Sequence, residues 1–380
     1  MNIIVLGCGL VGGPMAIDLV RDEEFNVTVA DKNKESLEII EQKSAVSIIQ
    51  IDLSDPANVT SLVKKYDFVV SAVPGFMGFQ TLRAIIEAGK DVVDIAFFPE
   101  DMFVLDDFAK QKGVIAISDI GVAPGMSNLL VGYADHLLDQ TEKAVIYVGG
   151  LPKVRELPFE YKAVFSPVDV IEEYTRLARY IENGKEVVKP ALSDPELLNF
   201  EGLGTLEAFN SDGLRSLAKT IDAPNMIEKT LRYPGHIEIM RILRDTGFFS
   251  KDKIEISGVK ISPLEFTSKL LFPKWKLEES EEDITIMKIM VEGLKEGKRM
   301  RYTYNLFDRY DPVTKIHSMA RTTGYTATMA LRMITKGLYK RKGVSAPEFI
   351  GKQPECAEFI LKGLEERGVV YKEMVEVIDA

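Results

Sequence analysis

The sequence predicts an α/β chain: a Rossmann-type parallel-sheet domain, an α+β domain with a mixed sheet, and C-terminal helices that return to the first domain. Three observations carry this. A glycine-rich turn holding Gly7, Gly9 and Gly12 follows the apolar run at residues 3–6. Strand-length apolar runs then alternate strictly with helical stretches as far as residue 119. From about residue 143 the alternation gives way to longer apolar–polar repeats.

The totals bound the function. At 380 residues the chain holds two or three domains, and its apolar fraction of 46% is that of a globular protein. A net charge of −11 argues against nucleic acid as the main partner, because binding phosphates needs a basic face. Cys8 and Cys356 lie far apart, so neither a disulfide framework nor a zinc cluster is expected, and no metal. So few cysteines fit a reducing compartment. The apolar start lacks a basic flank and is broken by glycines at turn positions, which reads as strand and turn, not as a targeting segment. No apolar run approaches the roughly 18 to 20 residues of a membrane helix. A cytoplasmic protein without a membrane partner is expected.

Each element of the first domain follows from local chemistry. Gly7 permits the tight turn, Gly9 lets the backbone approach a pyrophosphate, and Gly12 lets the next helix pack on the strand. Leu10 and Val11 complete this phosphate loop, and Pro14 suits the first helical turn. The second strand, 26–31, ends in Asp31, an acid placed to accept hydrogen bonds from a ribose; this favours NAD. Lys32 beside it tolerates a 2′-phosphate, so NADP stays open. Strand 46–50 leads to Asp52, a candidate for the adenine pocket. Strands 68–74, 91–96 and 114–119, with helices at 78–89 and 101–111, continue the alternation. Ligands of parallel sheets bind beyond the carboxyl ends of the strands. That rule nominates Ser71, Ala72, Val73, Pro74, Asp94 and Asp119. For Asp94 a turn or capping role is an equal alternative.

Residues 119–128, DIGVAPGMSN, leave the sixth strand and enter a helix. Ser127 or Asn128 is expected to cap it. The position of this turn at the cofactor edge puts Asp119 and Asn128 beside a nicotinamide. Beyond it, segments such as EYKAVFS (160–166), MIEKTLRY (226–233) and KRMRYTYNLF (298–307) read as strands, with helices at 168–182, 213–221 and 236–246. KLEESEED (276–283) reads as a solvated loop. GLKEGKR (293–299) falls one residue short of a P-loop and lacks its Ser or Thr.

TLRYPGH (230–236) is the densest candidate site. Arg232 ends a strand beside a Pro-Gly turn and a helix start, where a planar guanidinium and backbone N–H groups suit a carboxylate. The competing reading is an arginine paired with a local acid such as Glu228. His236, taken alone, reads as structural more readily than catalytic. The long helix at 318–337 is expected to be entered through a Thr-Thr-Gly turn, followed by an amphipathic helix at 353–368 and a last strand. Domain boundaries are expected at 1–125, 126–317 and 318–380.

GCGLVGG, DIGVAPGMSN, GGLPKVRELPFEYK, TLRYPGH, ARTTGYTATMALRMI and GVSAPEFI, in this order, resemble the saccharopine reductase and lysine dehydrogenase family across most of the chain. VAPGMSN and ARTTGYTA look closer to its lysine 6-dehydrogenase branch. Saccharopine reductases typically carry Asp-Pro-Gly and a following Asp-His in that turn, where this chain has Ala123-Pro124-Gly125 and Ser127-Asn128. The resemblance implies a Rossmann domain, a mixed-sheet domain, a helical return, and oxidation of an amine carbon with NAD(P). On matching positions it makes Arg232 the substrate-carboxylate arginine and the loop 71–75 the nicotinamide side.

The expected reaction is therefore NAD-dependent oxidative deamination of the ε-amine of L-lysine or a close analogue. Asp119 is the first candidate for contacting the amine, followed by Glu160, Glu207 and His236. A saccharopine reductase or carboxy-polyamine dehydrogenase is the alternative and would need a second carboxylate anchor, for which Arg155 and Arg241 are available. A non-catalytic NAD-binding sensor is the third reading. The expected partners are a small amino-acid substrate and a second copy of the chain, as a homodimer.

Overall fold

A computed structural model describes residues 1–378. The chain divides into two units, one made of Met1–Asp139 with Met319–Tyr371, the other of Gln140–Ser318 with the residues from Lys372 onward. The chain opens with β1 (Asn2–Leu6), α1 (Gly12–Leu19), β2 (Asn26–Asp31), α2 (Lys34–Lys43), β3 (Ser47–Gln50) and α3 (Pro56–Val63). β4 (Phe68–Ser71), α4 (Gly75–Glu87), β5 (Asp91–Asp94), α5 (Asp106–Lys112), β6 (Ile115–Ile117) and α6 (Met126–Leu137) follow. The second unit begins with β7 (Gln140–Pro152), α7 (Pro167–Thr175), β8 (Ala178–Glu182), β9 (Lys185–Lys189), β10 (Glu196–Phe200) and β11 (Gly204–Asn210). It continues through α8 (Leu217–Thr220), β12 (Asn225–Arg232), α9 (His236–Asp245), β13 (Ile254–Ile256), β14 (Val259–Ile261) and α10 (Pro263–Trp275) to the hairpin β15 (Asp283–Lys295) and β16 (Lys298–Arg309). The return comprises α11 (Ser318–Thr335), β17 (Gly343–Ser345), α12 (Pro347–Gly351), α13 (Pro354–Glu365) and β18 (Tyr371–Val377).

The first unit is built on seven parallel strands in the order β17-β6-β5-β4-β1-β2-β3. β1 sits near the centre because Ile3, Ile4, Val5 and Leu6 are apolar toward both faces and fully buried. The returning chain is tied to α1 by charge. Asp18 on α1 is fully buried and accepts from Arg332 (2.6 Å), Arg367 (2.7 Å) and Thr328 (2.5 Å). Burial alone would raise its pKa; the two guanidiniums and the hydroxyl outweigh that and hold it below the usual carboxylate range.

The second unit carries a nine-stranded sheet, β10-β11-β12-β7-β15-β16-β18, with β8 against β12 and β9 against β8. β12 runs parallel to β7, while β11–β12, β7–β15 and β15–β16 are antiparallel, so the sheet is mixed. No helix among the described residues is long and apolar enough to cross a membrane.

Several expected boundaries shift. The first unit extends past residue 125 because α6 packs on α12 almost backbone to backbone: a Cβ at Gly351 would stand 2.0 Å from the Leu129 carbonyl oxygen. At the other end, β18 leaves the first unit and joins the edge of the mixed sheet. Residues 160–166 form no strand; Ala163 makes one isolated bridge to Lys276. The helix expected at 168–182 stops at Thr175. Beyond it Leu177 and Arg179 point outward while Ala178 and Tyr180 are buried, the two-residue period of strand β8. The helix expected at 213–221 shrinks to the four residues of α8. Residues 322–324 are not a turn: α11 runs through them, and Gly324 allows contact with Met15 on α1. Gly125, not Ser127 or Asn128, caps α6. Asp283, at the end of the solvated stretch, is fully buried and accepts the Ser318 N–H at the start of α11 (2.7 Å).

Candidate functional site

The glycine loop of the first unit has the shape a dinucleotide needs. Gly7 takes a left-handed backbone (φ 102°), and a Cβ there would meet the Ala72 carbonyl oxygen at 2.6 Å. At Gly12 a Cβ would meet the Gly7 carbonyl oxygen at 2.1 Å. Gly9 faces open space, with nothing within 4 Å of its would-be Cβ. Val11, the N-cap of α1, makes no side-chain cap bond, so the positive end of the helix adjoins this loop, beside the exposed Leu10. Asp31 ends β2; its Oδ2 accepts the Cys8 N–H (2.7 Å) and its Oδ1 the Asn33 N–H (2.8 Å). A carboxylate has about four acceptor sites, so both oxygens keep capacity for ribose hydroxyls. Ser71, Ala72, Val73 and Pro74 close β4 and lead into α4, which starts directly after Pro74, earlier than expected. These residues fit a bound dinucleotide.

Two further nominated residues are also tied into local loops. Asp52 is exposed and holds a local turn through the Ser54 N–H (3.0 Å) and hydroxyl (2.7 Å), which hold its pKa down. Lys32 is exposed, and its carbonyl accepts from Gln50 (3.1 Å). Asn128 lies buried in the first turn of α6, its Oδ1 accepting from Ser127 (2.8 Å).

At the carboxyl ends of β5 and β6 the fold brings Asp94 and Asp119 together. The register pairs Val93 with Ile117, so Asp94 stands opposite Ser118, one residue before Asp119. Asp94 is fully buried and accepts from the Ser118 hydroxyl (3.2 Å) and the Ala96 N–H (3.3 Å). Burial pushes its carboxyl up to about 7; the neighbouring Asp119 carboxylate adds to the rise and the Ala96 and Ser118 donors oppose it. Asp119 is buried too, on a left-handed backbone (φ 59°).

In the second unit Arg232 is not an open anion site. It is 2% exposed, and its Nη2 donates to Glu173 Oε2 (2.5 Å), the position a substrate carboxylate was expected to take. Its Nε donates to the Tyr174 hydroxyl (3.2 Å) and its Nη1 to the Leu231 carbonyl (2.9 Å). The guanidinium lies 4.6 Å over the Tyr161 ring, with Tyr174 and Phe209 also around it. Burial opposes its charge, but Tyr174, Tyr161 and Glu173 outweigh burial. Burial raises the Glu173 carboxyl in turn, against the pull of Arg232.

His236 extends this network. Its Nδ1 donates to the Phe159 carbonyl (2.8 Å), since a carbonyl only accepts; its Nε2 therefore accepts from the Tyr174 hydroxyl (2.9 Å). Burial, then the charge of Arg232, depress its pKa to about 3, so the ring stays neutral. The acid that Arg232 meets is Glu173 and not Glu228, the example offered by the competing reading. Glu228 is buried and accepts from Ser211 (2.7 Å) and the Gly213 N–H (3.1 Å), with burial pushing it up to about 8. Glu160 pairs bidentately with Arg155 (3.1 and 2.8 Å), Arg241 pairs with Glu238, and Glu207 accepts the Gly235 N–H (3.0 Å). Further charged groups gather by the end of α7: Arg179 grips Asp212 (2.9 and 2.8 Å), and burial, then Arg215, hold Arg176 below the usual guanidinium range.

Glu173, Tyr174, Tyr161 and Arg176 were missed by sequence reasoning. For Glu173 and Arg176 the signal was the i, i+4, i+7 spacing with Asp169, hidden because the stretch was read as the interior of a longer helix; the two tyrosines carried none.

Residues 3–117 match the saccharopine dehydrogenase NADP binding domain and residues 121–369 the saccharopine dehydrogenase C-terminal domain. The chain is 24% identical to saccharopine dehydrogenase [NADP(+), L-glutamate-forming] of Saccharomyces cerevisiae over 97% of its length and 98% of that protein. It is 25% identical to carboxyaminopropylagmatine dehydrogenase of Synechocystis sp., over 98% of both chains. The apo structure of histidine-tagged saccharopine dehydrogenase (L-Glu forming) from Saccharomyces cerevisiae superposes with a TM-score of 0.81, at 21% identity, covering 99% of this chain and 100% of that one. With the phosphate loop in the first match and the Arg232 network in the second, the chain belongs to the saccharopine dehydrogenase family of oxidoreductases.

Proposed function

We propose that the chain catalyses NAD-dependent oxidative deamination of the ε-amine of L-lysine or a close analogue, giving 2-aminoadipate 6-semialdehyde, ammonia and NADH. One observation carries the choice of substrate: every arginine nominated for a carboxylate already meets an acid within the chain. Arg232 meets Glu173, Arg155 meets Glu160, and Arg241 meets Glu238. A two-headed substrate such as saccharopine brings extra carboxylates and needs such arginines open. Asp31 at the end of β2 supports NAD, because a 2′-phosphate there faces a carboxylate.

A bound nicotinamide supplies the hydride acceptor. The chain's own task is the proton. A free lysine ammonium has a pKa of about 10.4, and only the neutral amine releases hydride readily, so a base is required. We assign that base to the Asp119 carboxylate, which takes the proton from the ε-ammonium, with Asp94 beside it as the group that shares the proton. Oxidation leaves an imine, and water attack on it releases ammonia and the aldehyde. A homodimer through the mixed sheet belongs to the same proposal and is read by light scattering.

A carboxy-polyamine dehydrogenase is the second reading, supported by the full-length match to carboxyaminopropylagmatine dehydrogenase. The test follows NADH absorbance at about pH 9 to 10, where free amine is available, with L-lysine, saccharopine and a polyamine in parallel. NADH and ammonia from lysine alone are expected. Glutamate release from saccharopine, or turnover of the polyamine only, overturns the proposal. Cofactor binding without any turnover replaces it with a redox sensor.

A further inference from the structure

We propose that Glu173 is an internal stand-in for the substrate: in the free chain its carboxylate fills the place on Arg232 that the substrate's α-carboxylate takes on binding, and its side chain swings out as the substrate arrives. The inference rests on the amino-acid substrate proposed above. Lysine carries one carboxylate, so a single exchange admits it.

Arg232 is built to hold a carboxylate, whichever molecule supplies it. Its Nε and Nη1 are fixed from behind by the Tyr174 hydroxyl and the Leu231 carbonyl, and Tyr174 is fixed in turn by His236 and the Phe159 carbonyl. Nη2 is left for the acid, and there it meets Glu173. A buried guanidinium without a counter-charge is costly, so a carboxylate must occupy that place in the free and the bound chain alike.

Glu173 fills the place imperfectly. Among the described residues Arg232 is its only hydrogen-bond partner, and one of its two oxygens is engaged, whereas a carboxylate has about four acceptor sites. Burial raises its pKa in spite of Arg232. The side chain is 20% exposed against 2% for Arg232, so Glu173 lies on the side from which a ligand reaches the arginine. Its departure needs only its own side-chain torsions, because α7 stays anchored through the buried Val170, Ile171 and Tyr174.

A second observation marks the same place. The Tyr161 hydroxyl is buried, lies within the fields of Arg232 and Glu173, and has no hydrogen-bond partner. Its ring is fixed, 4.6 Å from the Arg232 guanidinium, 5.0 Å from the His236 ring and 5.7 Å from Trp275. Glu173, tethered to α7, leaves that hydroxyl unmet. A carboxylate that arrives untethered sets one oxygen on Arg232 and the other on Tyr161. The exchange replaces one hydrogen bond with two, which is how a substrate displaces an acid already in place.

The test is calorimetric binding to the full chain with NADH present. The probes are L-lysine, 6-aminohexanoate, which lacks the α-ammonium, pentane-1,5-diamine, which lacks the carboxylate, and saccharopine. Glu173→Gln removes the competing charge and keeps an oxygen for Arg232. It is expected to bind lysine and 6-aminohexanoate roughly tenfold tighter and the diamine as the wild type does. Its melting temperature should fall without ligand, and 6-aminohexanoate should raise it further than it raises that of the wild type. Tyr161→Phe loses no hydrogen bond in the free chain, so its melting temperature should hold while both carboxylate probes bind roughly fivefold weaker and the diamine does not change. Should Glu173→Gln fail to fold, Tyr161→Phe decides alone. Weaker lysine binding by Glu173→Gln overturns the proposal, because Glu173 then holds the substrate's ammonium. Unchanged binding, or an equal change on every probe, means a structural role and overturns it too. A wild-type chain that ignores lysine but binds saccharopine sinks the substrate proposal alone; saccharopine keeps the same α-amino-acid end, and the variants are then scored on it. Binding of neither overturns both.

Discussion

Gly9 and Gly12 separate cofactor binding from folding. Gly9→Ala adds a methyl group that touches nothing in the protein, since no atom lies within 4 Å of the Cβ position, and Gly9 is not among the positive-φ glycines. The fold therefore accepts alanine, and restriction of the unfolded chain adds about 0.4–1 kcal/mol of stability. A pyrophosphate lying against the Gly9 backbone meets that methyl directly. An extra methyl forced into a packed contact costs about 1–3 kcal/mol, which is roughly 5- to 150-fold in Kd. Gly12→Ala is the contrasting perturbation: its Cβ would stand 2.1 Å from the Gly7 carbonyl oxygen, so β1 and α1 must separate. NADH fluorescence titration with a parallel thermal melt reads both. Gly9→Ala should keep or raise the melting temperature while losing affinity; Gly12→Ala should lose both. Wild-type affinity in Gly9→Ala, or a lowered melting temperature in it, would refute the placement of the pyrophosphate.

Asp31→Ser removes the charge at the ribose end and should raise the NADPH-to-NADH affinity ratio by roughly tenfold or more, since like charges in contact cost several kcal/mol; competition titration showing an unchanged ratio defeats the assignment. Asp18→Asn leaves the largely buried Arg367 without its counter-charge and Arg332 with Asp22 alone, and should cost about 3–5 kcal/mol in denaturant unfolding. Because the Asp18 pKa is lowered from 3.8 on folding, its contribution is complete above that value and is lost as pH falls through the folded pKa. The variant should therefore lack part of the acid-limb slope of the wild type, and matching slopes would contradict the network.

What the sequence made legible was local chemistry. The glycine loop, Asp31 and the parallel alternation are short-range signals, each tied to one turn or one strand, and the first sheet follows from them. Arg232 was legible as an unusual arginine at a strand end, but its partner was not. Glu173 comes from α7, 59 residues earlier, and no spacing rule links them. The same limit hid the Asp94–Asp119 pair: each was nominated as a strand end, and only the register of β5 against β6 makes them neighbours. The boundary near residue 125 misled because Gly125 and Pro124 look like a linker, while the close packing of α6 on α12 depends on Gly351, more than 200 residues away.

Asp94 turns that pairing into a measurable pH dependence. Its carboxyl is pushed from 3.8 to about 7 on folding, so between those values the native state binds a proton that the unfolded chain has released. Stability then falls as pH rises through this window and is level above it, the reverse of a salt-bridged acid. At about 1.4 kcal/mol per unit, the shift corresponds to a cost on the order of 4 kcal/mol above pH 7, of which about 3 develops between pH 5 and 8. Asp94→Asn cannot ionise and still offers an oxygen to the Ala96 N–H. Urea unfolding at the two pH values should therefore show the variant gaining on the wild type by up to about 3 kcal/mol as pH rises. Parallel behaviour of the two proteins would mean that Asp94 is already ionised at pH 5 and has no proton to share with Asp119. If the gain is found, the same substitution should move the acid limb of kcat/KM, because the charge that Asp119 faces is then fixed at zero; an unmoved limb would leave Asp94 as a strand-end anchor with no part in the proton step.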